Sequence, residues 1–320
     1  MSAPSFAALF PGQLSEKPGM GEAFASRFDF VSAWFEEVSR RSGVDLAATF
    51  FGAGAPGLHD DLPAQVGVFA VSLAALDVLE KIHGLVPGAV AGYSLGTYAA
   101  LVAAGSLERA EALEVLLTAQ RILEEDRRAN ASRPAGMGFV IGLTRTALEA
   151  EIGGGDVSIG TENASQQFVL TGEREAVEAA IKRLRPSALK AEMLPLSQCM
   201  HSKRLGEVTR RLKILLEGMT ALRTPKLSLY APMLGTRISS LEEISLVLFG
   251  QISRPSLWAQ TLGSMGADGY SFFAETGPGD VLTKLLRWTL REAKGFVVED
   301  PASAADFFRA MIPEGVVARG

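Results

Sequence analysis

Apolar and polar positions follow two different rhythms along the chain. In the first 130 residues, short apolar runs of strand length alternate with long helical stretches. "FAALFPGQ" (6–13) ends in Pro-Gly and predicts a buried strand entering a loop. Residues 22–42 have helical periodicity. "LPAQVGVFAVSLAALDVLEKIHG" (62–84) predicts a long apolar helix stopped by Gly84. "GAVAGYS" (88–94) predicts a second buried strand, "LGTYAALVAAG" (95–105) a helix of small residues ending at Gly105, and residues 107–130 a further helix with charge gathered at its end. After "ASRPAG" (131–136), a linker by composition, the elements shorten. Strands are expected at 137–143, 156–163, 167–172 and 188–194, with helices at 144–153 and 173–186. Beyond these the longer rhythm returns. An amphipathic helix with a basic face is expected at 202–219, a strand at 226–233, helices at 240–253 and 255–267, and strand, Gly-Pro-Gly loop and helix over 270–290.

The middle segment thus reads βαββαβ, the order of a ferredoxin-like unit. The expected fold is α/β. A large domain (1–130 and 199–320) is built on a central, mostly parallel sheet, and a small ferredoxin-like domain (131–198) is inserted into it.

Composition narrows the function classes. Hydrophobic residues make up 48% and charged residues 21%, enough to bury a sizeable core. The net charge of -5 argues against a nucleic-acid binder. A single cysteine, Cys199, excludes an internal disulfide and a cysteine-based zinc site. The N-terminal stretch lacks a basic region, and its apolar run breaks at Pro11-Gly12, so no signal peptide is expected. Every long apolar run is interrupted by charge, Gly or Pro, so no membrane span is expected. The expectation is a cytoplasmic monomer.

Gly92-Tyr93-Ser94-Leu95-Gly96 reads G-x-S-x-G between an expected strand and an expected helix. That context suits a nucleophilic serine lifted onto a sharp turn beside a helix N-terminus, with the Leu95 N–H aimed at a developing oxyanion. The same residues would also serve as a tight turn whose serine caps a helix. A serine nucleophile needs a base, and the chain has three histidines. His59 lies in a polar loop beside two aspartates, and His83 ends a helix just before Gly84, where the helix dipole favours it. His201 lies where the inserted unit returns to the main domain, a place where clefts form, and is favoured as the base.

In order along nearly the whole chain, the motifs resemble those of the acyltransferases that load acyl carrier proteins, the malonyl-CoA:acyl-carrier-protein transacylases and polyketide-synthase acyltransferase domains. "FPGQLSEKPGMG" (10–21) resembles F-P-G-Q-G-S-Q-x-x-G-M-G, and "GYSLG" resembles G-H-S-L-G. "TENASQQFVLTG" (161–172), His201-Ser202, "GQISRPSLW" (250–258) and "ETGPGDVLTKLLR" (275–287) resemble the later blocks. The resemblance implies an α/β-hydrolase-like large domain and a ping-pong reaction through an acyl ester on Ser94. His201 would be general base and acid, oriented by the backbone carbonyl of Gln251. Gln13 and Leu95 would form the oxyanion hole, and Asn163 would line the substrate cleft. Acyl-CoA or acyl-phosphopantetheine would be substrate, with no bound cofactor and no metal.

The sequence also departs from that pattern. The malonyl-specific members clamp the free carboxylate with an arginine on the helix after the serine, and the matching position here is Ala119. Arg121, two residues on, is rotated by about 200° along a helix. Tyr93 replaces the usual histidine, Thr97 stands where many members have glutamate, and Gln198-Cys199-Met200 precede His201 in a stretch that helps choose the acyl chain. Ala119, Met200 and Tyr93 would suit an uncharged acyl group better than malonyl, and Gln198 is a further expected substrate-binding position. Lys203, Arg204, Arg210, Arg211 and Lys213 form a basic cluster on the helix after His201, and Arg127 and Arg128 lie at another helix end; together they would suit an acidic carrier protein. A thioester hydrolase on the same Ser-His pair is the rival reading, and a non-catalytic carrier-binding subunit a third. A general esterase fits less well, because that family orders its triad Ser, acid, His.

Overall fold

The computed structural model describes residues 5–153, 155–216, 218 and 221–312. The strands in chain order are β1 (Ala7–Phe10), β2 (Ala89–Gly92), β3 (Ala135–Ile141), β4 (Val157–Ala164), β5 (Gln167–Glu173), β6 (Lys190–Met193), β7 (Ser228–Ala231), β8 (Thr236–Arg237), β9 (Phe272–Thr276) and β10 (Lys294–Val298). The chain divides into two compact units. The first comprises Met1–Leu117, Arg223–Tyr230 and Met265–Gly320, and the second Thr118–Leu222 and Ala231–Ser264.

In the first unit, strands β10, β9, β1, β2 and β7 lie side by side in that order, and every adjacent pair is parallel. The central strands AALF and AVAG are buried at every position, as expected of a parallel sheet covered on both faces. Parallel neighbours need a long crossover. Between β1 and β2 this connection contains the helix Asp61–His83, buried without interruption from Ala64 to Leu79. By length and composition this helix could cross a membrane, contrary to the sequence expectation, yet it is a core helix of the unit. Its one deeply buried charge, Asp77, is held by both terminal nitrogens of Arg109 and by Lys81. The Arg109 guanidinium also lies 5.2 Å from the Trp34 ring centre.

In the second unit, β3 to β6 form an antiparallel sheet in the order β4-β5-β3-β6. Strand, helix, strand, strand, helix and strand follow one another, the helices being Arg145–Ile152 and Arg174–Leu184. Val177, Ile181 and Leu184, three and four residues apart on the second helix, pack with Val140, Phe168 and Leu170 of the sheet. The segment expected as the small domain, 131–198, lies inside this unit, which also takes in the end of the helix Arg109–Ala129 and the chain to Leu222.

Some elements differ from the sequence expectation. The 22–42 helix is two helices, Glu22–Arg27 and Asp29–Ser42, separated by Phe28 in extended backbone. The 202–219 helix starts as a 3-10 turn (Lys203–Leu205) under the Ser202 cap and continues as Gly206–Leu216; positions 217 and 219 lie outside the described residues. β10 and the helix Pro301–Met311, which lie past the last expected element, complete the first unit. That helix begins on Asp300, which forms a reciprocal capping box with Ser303, and has Pro301 in its first turn.

Candidate active site

Ser94 stands on a strand-to-helix turn. β2 ends at Gly92 and the helix Gly96–Ala103 starts two residues after the serine. Ser94 has φ +52°, a left-handed conformation that non-glycine residues rarely adopt and that clusters at functional sites. The flanking glycines are required by space. A Cβ at Gly92 would lie 2.1 Å from the carbonyl carbon of Gly96, and one at Gly96 would lie 2.1 Å from the Phe10 carbonyl oxygen. The turn is closed by Gly96 N–H to Tyr93 O and Thr97 N–H to Ser94 O, each 2.9 Å. Thr97 also donates its hydroxyl to Gly92 O at 3.2 Å. Leu95 is the N-cap position of the helix and is buried, while Tyr93 is half-buried.

Gln13 belongs to the same unit, on the loop after β1. Its side-chain amide donates to Asp61 Oδ1 at 2.9 Å, and its carbonyl accepts from Gln65 at 3.2 Å. The side chain is thereby tied to the long helix, and the backbone N–H of Gln13 is a separate donor. Ser15 Oγ donates to Gly12 O at 2.6 Å, on the peptide unit that carries this N–H. Because that unit is planar, fixing its carbonyl also fixes its N–H.

His201 is in the second unit, also in left-handed backbone (φ +61°), and is buried. Its Nδ1 lies 3.0 Å from the Gln251 carbonyl oxygen and 3.2 Å from that of Arg254, and its backbone N–H donates to Ile252 O at 2.8 Å. Two carbonyls can only accept, so Nδ1 must carry the proton and Nε2 is the basic nitrogen. The 3-10 turn Gln251–Ser253, followed by extended Arg254 before Pro255, presents both carbonyls to the ring. Strand β4 fastens this segment: Glu162 N–H donates to Ser256 O, and Ser256 N–H to Gly160 O, each 2.8 Å. Burial pushes the imidazole below its ordinary value of 6.5, opposed by the two carbonyl bonds, which favours the neutral base.

Asn163 (on β4), Gln198 and Ala119 are buried in the second unit, and Met200 is half-buried there. Arg121 is exposed and paired with Glu125 at 3.0 Å, directed away from the side on which Ala119 is buried. A cavity of about 510 Å³ in this unit is lined by His201, Ser202, Lys203, Arg204, Arg133 and Glu173, among others. The basic cluster is not bare. Arg210 is paired with Glu207, Arg211 with Glu125, and Arg127 and Arg128 with Glu124. Arg204 binds the Arg133 carbonyl and lies 3.8 Å from Glu173. Lys203 is exposed and has no carboxylate partner among the described residues.

The other histidines have structural partners: His59 donates Nδ1–H to Glu16 at 3.0 Å, and the His83 ring packs 5.0 Å from Phe308. Among the described residues, no three His, Cys, Asp or Glu side chains converge as metal ligands. Sequence reasoning passed over Glu275. It is buried on β9 and accepts N–H bonds from Leu282 (2.9 Å) and Thr283 (2.7 Å), holding the Gly-Pro-Gly loop against the helix Val281–Thr289.

Residues 8–314 match a family model described as an acyl transferase domain. A malonyl CoA-acyl carrier protein transacylase of Haemophilus influenzae is 30% identical over 308 residues, 93% of this chain and 96% of that protein. Among solved structures, a type II polyketide-synthase acyl-carrier protein in complex with its malonyl-transacylase superposes with a TM-score of 0.89 at 28% identity, over 96% of this chain and 100% of that one. An acyl-carrier-protein S-malonyltransferase from Burkholderia pseudomallei superposes with a TM-score of 0.88 at 28% identity, over 96% and 100%.

Proposed function

The chain belongs to the acyl transferase domain family, and we propose that it carries an acyl group from a CoA or carrier-protein thioester to a phosphopantetheine thiol through an ester on Ser94. The observation that carries this reading is Ser94 in left-handed backbone between two glycines that admit no side chain. In the proposed chemistry, His201 Nε2 takes the hydroxyl proton as Ser94 Oγ attacks the thioester carbonyl. The oxyanion is met by the N–H groups of Leu95 and Gln13. The imidazolium returns its proton to the departing thiolate, leaving the acyl ester. The second thiol then reverses these steps, with His201 deprotonating it. The carbonyls of Gln251 and Arg254 hold the tautomer and stabilise the imidazolium, the part an aspartate plays in a triad.

The acceptor is proposed to be an acyl carrier protein. The malonyl-transacylase described above is in complex with an acyl-carrier protein, and the Haemophilus influenzae relative is named for the same partner. Docking would use Lys203, with Arg204, Arg210 and Arg211 as further contacts. Because the three arginines already face carboxylates, Lys203 is proposed to carry most of the electrostatic attraction.

The acyl group is proposed not to be malonyl, although the relatives above are named for it. Ala119 occupies the position where the resemblance places a carboxylate-clamping arginine, and Arg121 faces outward on its own glutamate. An ionised carboxylate entering a dry pocket without a cation is strongly disfavoured. Asn163, Met200, Gln198 and Tyr93 are proposed to contact the acyl thioester.

The test is intact-mass spectrometry after incubation with malonyl-, acetyl- and longer acyl-CoAs. An uncharged acyl group on Ser94 supports the specificity, and efficient malonyl loading would sink it. Decay of the ester only when carrier protein is added identifies a transferase; equal decay in buffer identifies a hydrolase.

A further inference from the structure

Three residues of the described chain other than glycine have left-handed backbone: Ser94, His201 and Leu14. The first two belong to the proposed chemistry. Leu14, at φ +76°, does not, and it immediately follows Gln13. A leucine resists this conformation because its Cβ crowds the following carbonyl, so the surroundings must impose it. The constraint is Glu16. Its side chain is fully buried, and Oε2 accepts the Leu14 N–H at 2.7 Å. Oε1 accepts from His59 Nδ1 at 3.0 Å, and the His59 side chain is 68% exposed. Buried carboxylate oxygens need such donors in place of water. Gln13, Leu14, Glu16 and His59 all lie in the first unit, as does Ser94.

We propose that Glu16, held by His59, is a positioning residue for the Gln13 N–H: it pins the peptide after Gln13 from one side, as Ser15 pins the peptide before it from the other. This rests on the reading of Gln13 as an oxyanion donor. The geometry separates two tasks. The Gln13 side chain is anchored to Asp61 and Gln65 on the long helix, which fixes where the loop sits. Glu16 and Ser15 bind main-chain atoms on both sides of Gln13, which fixes the direction of its N–H. An oxyanion donor that swings out of line loses most of its effect, because its advantage lies in needing no reorganisation during the reaction. Glu16 touches neither substrate nor reacting atoms in this scheme and acts only through the loop.

The experiment compares Ser94 acylation by an accepted acyl-CoA in wild type, Glu16→Ala, Glu16→Gln and Glu16→Ala/Leu14→Gly, each normalised to folded protein by its thermal melt. Glu16→Ala is expected to lower the maximal acylation rate by about tenfold or more, with the half-saturating acyl-CoA concentration little changed. Glu16→Gln keeps an acceptor for the Leu14 N–H and should stay within about threefold of wild type. Adding Leu14→Gly to Glu16→Ala should recover much of the loss, since glycine adopts this backbone unaided. Should Glu16→Ala fail to fold, the comparison rests on His59→Ala, expected to lose about two- to fivefold in the same maximal rate. A wild-type rate in the folded Glu16→Ala protein overturns the proposal, as does a loss that Glu16→Gln shares in full. In the absence of that folded variant, a wild-type rate in His59→Ala overturns it. A wild-type chain acylated by no donor overturns the acyl-transfer reading and this proposal together, whereas acylation indifferent to Glu16 overturns this proposal alone.

Discussion

Glu275 should make the stability of this protein fall as the pH rises from 5 to 8. Its carboxyl sits on β9 at 1% exposure, and desolvation drives its pKa from the ordinary 4.5 to about 7. The Leu282 and Thr283 N–H groups and the Thr283 hydroxyl oppose that rise, and the nearby Asp280 charge adds to it. The folded state therefore binds more protons than the unfolded chain between pH 4.5 and 7, and the slope of unfolding free energy against pH is negative there. Integrating this one group from pH 5 to 8 gives a loss of about 2–3 kcal/mol. Glu275→Gln removes the titration. Its NH2 replaces one of the two acceptor oxygens and faces the N–H that oxygen served, so it adds a cost of about 1–3 kcal/mol at every pH. That constant cost cancels when the variant-minus-wild-type difference at pH 5 is subtracted from the difference at pH 8. Urea unfolding of both proteins at both pH values measures it. The variant should gain about 2–3 kcal/mol on wild type between pH 5 and pH 8. A difference that stays constant with pH would refute the reasoning, because it would mean that the buried carboxylate is ionised throughout.

Other outcomes are expected at the site. Gly96→Ala places a Cβ against the Phe10 carbonyl, where backbone must move; it should cost about 3 kcal/mol or more in a thermal or urea melt, and an unchanged melt would contradict the packing. The pH profile of Ser94 acylation should have its acid limb below 6.5, since the base is active only when neutral and burial lowers the His201 pKa; a limb above 6.5 would contradict this. Ala119→Arg should raise malonyl loading at least several-fold over acetyl loading, and no change would mean that position 119 does not face the acyl group. Lys203→Glu should slow transfer to a carrier protein more than it slows ester formation from acyl-CoA, with the difference shrinking at high salt; equal slowing would remove Lys203 from the docking surface.

The elements that could be read from sequence are those whose physics is local. The glycines of "GYSLG" mark the turn, and the structure adds why no other residue fits: a Cβ at Gly92 would strike the backbone of Gly96 and Thr97 in the next turn, and one at Gly96 the backbone of Phe10, distant in sequence. The apolar strands β1 and β2 are legible because both faces are buried, and the long core helix because Gly84 stops it. β10 is an edge strand, exposed or half-buried over most of its length, although its run GFVV is as apolar as the AVAG of β2. The basic cluster after His201 reads as charge in sequence, but the glutamates that neutralise Arg211 and Arg127 come from another helix or an adjacent turn. Glu16 looks like one more polar loop residue, and only the fold brings it to His59, 43 residues on.

Ser94 is proposed to carry the acyl group as an ester of its Oγ. Intact-mass and peptide-level spectrometry of wild type and Ser94→Ala, incubated with a panel of acyl-CoAs and acyl-carrier proteins, tests it directly. One acyl group on the peptide containing Ser94, lost on addition of a carrier protein and absent from Ser94→Ala, is the predicted result. A chain that takes no acyl group from any donor, or that acylates equally well as Ser94→Ala, would contradict it.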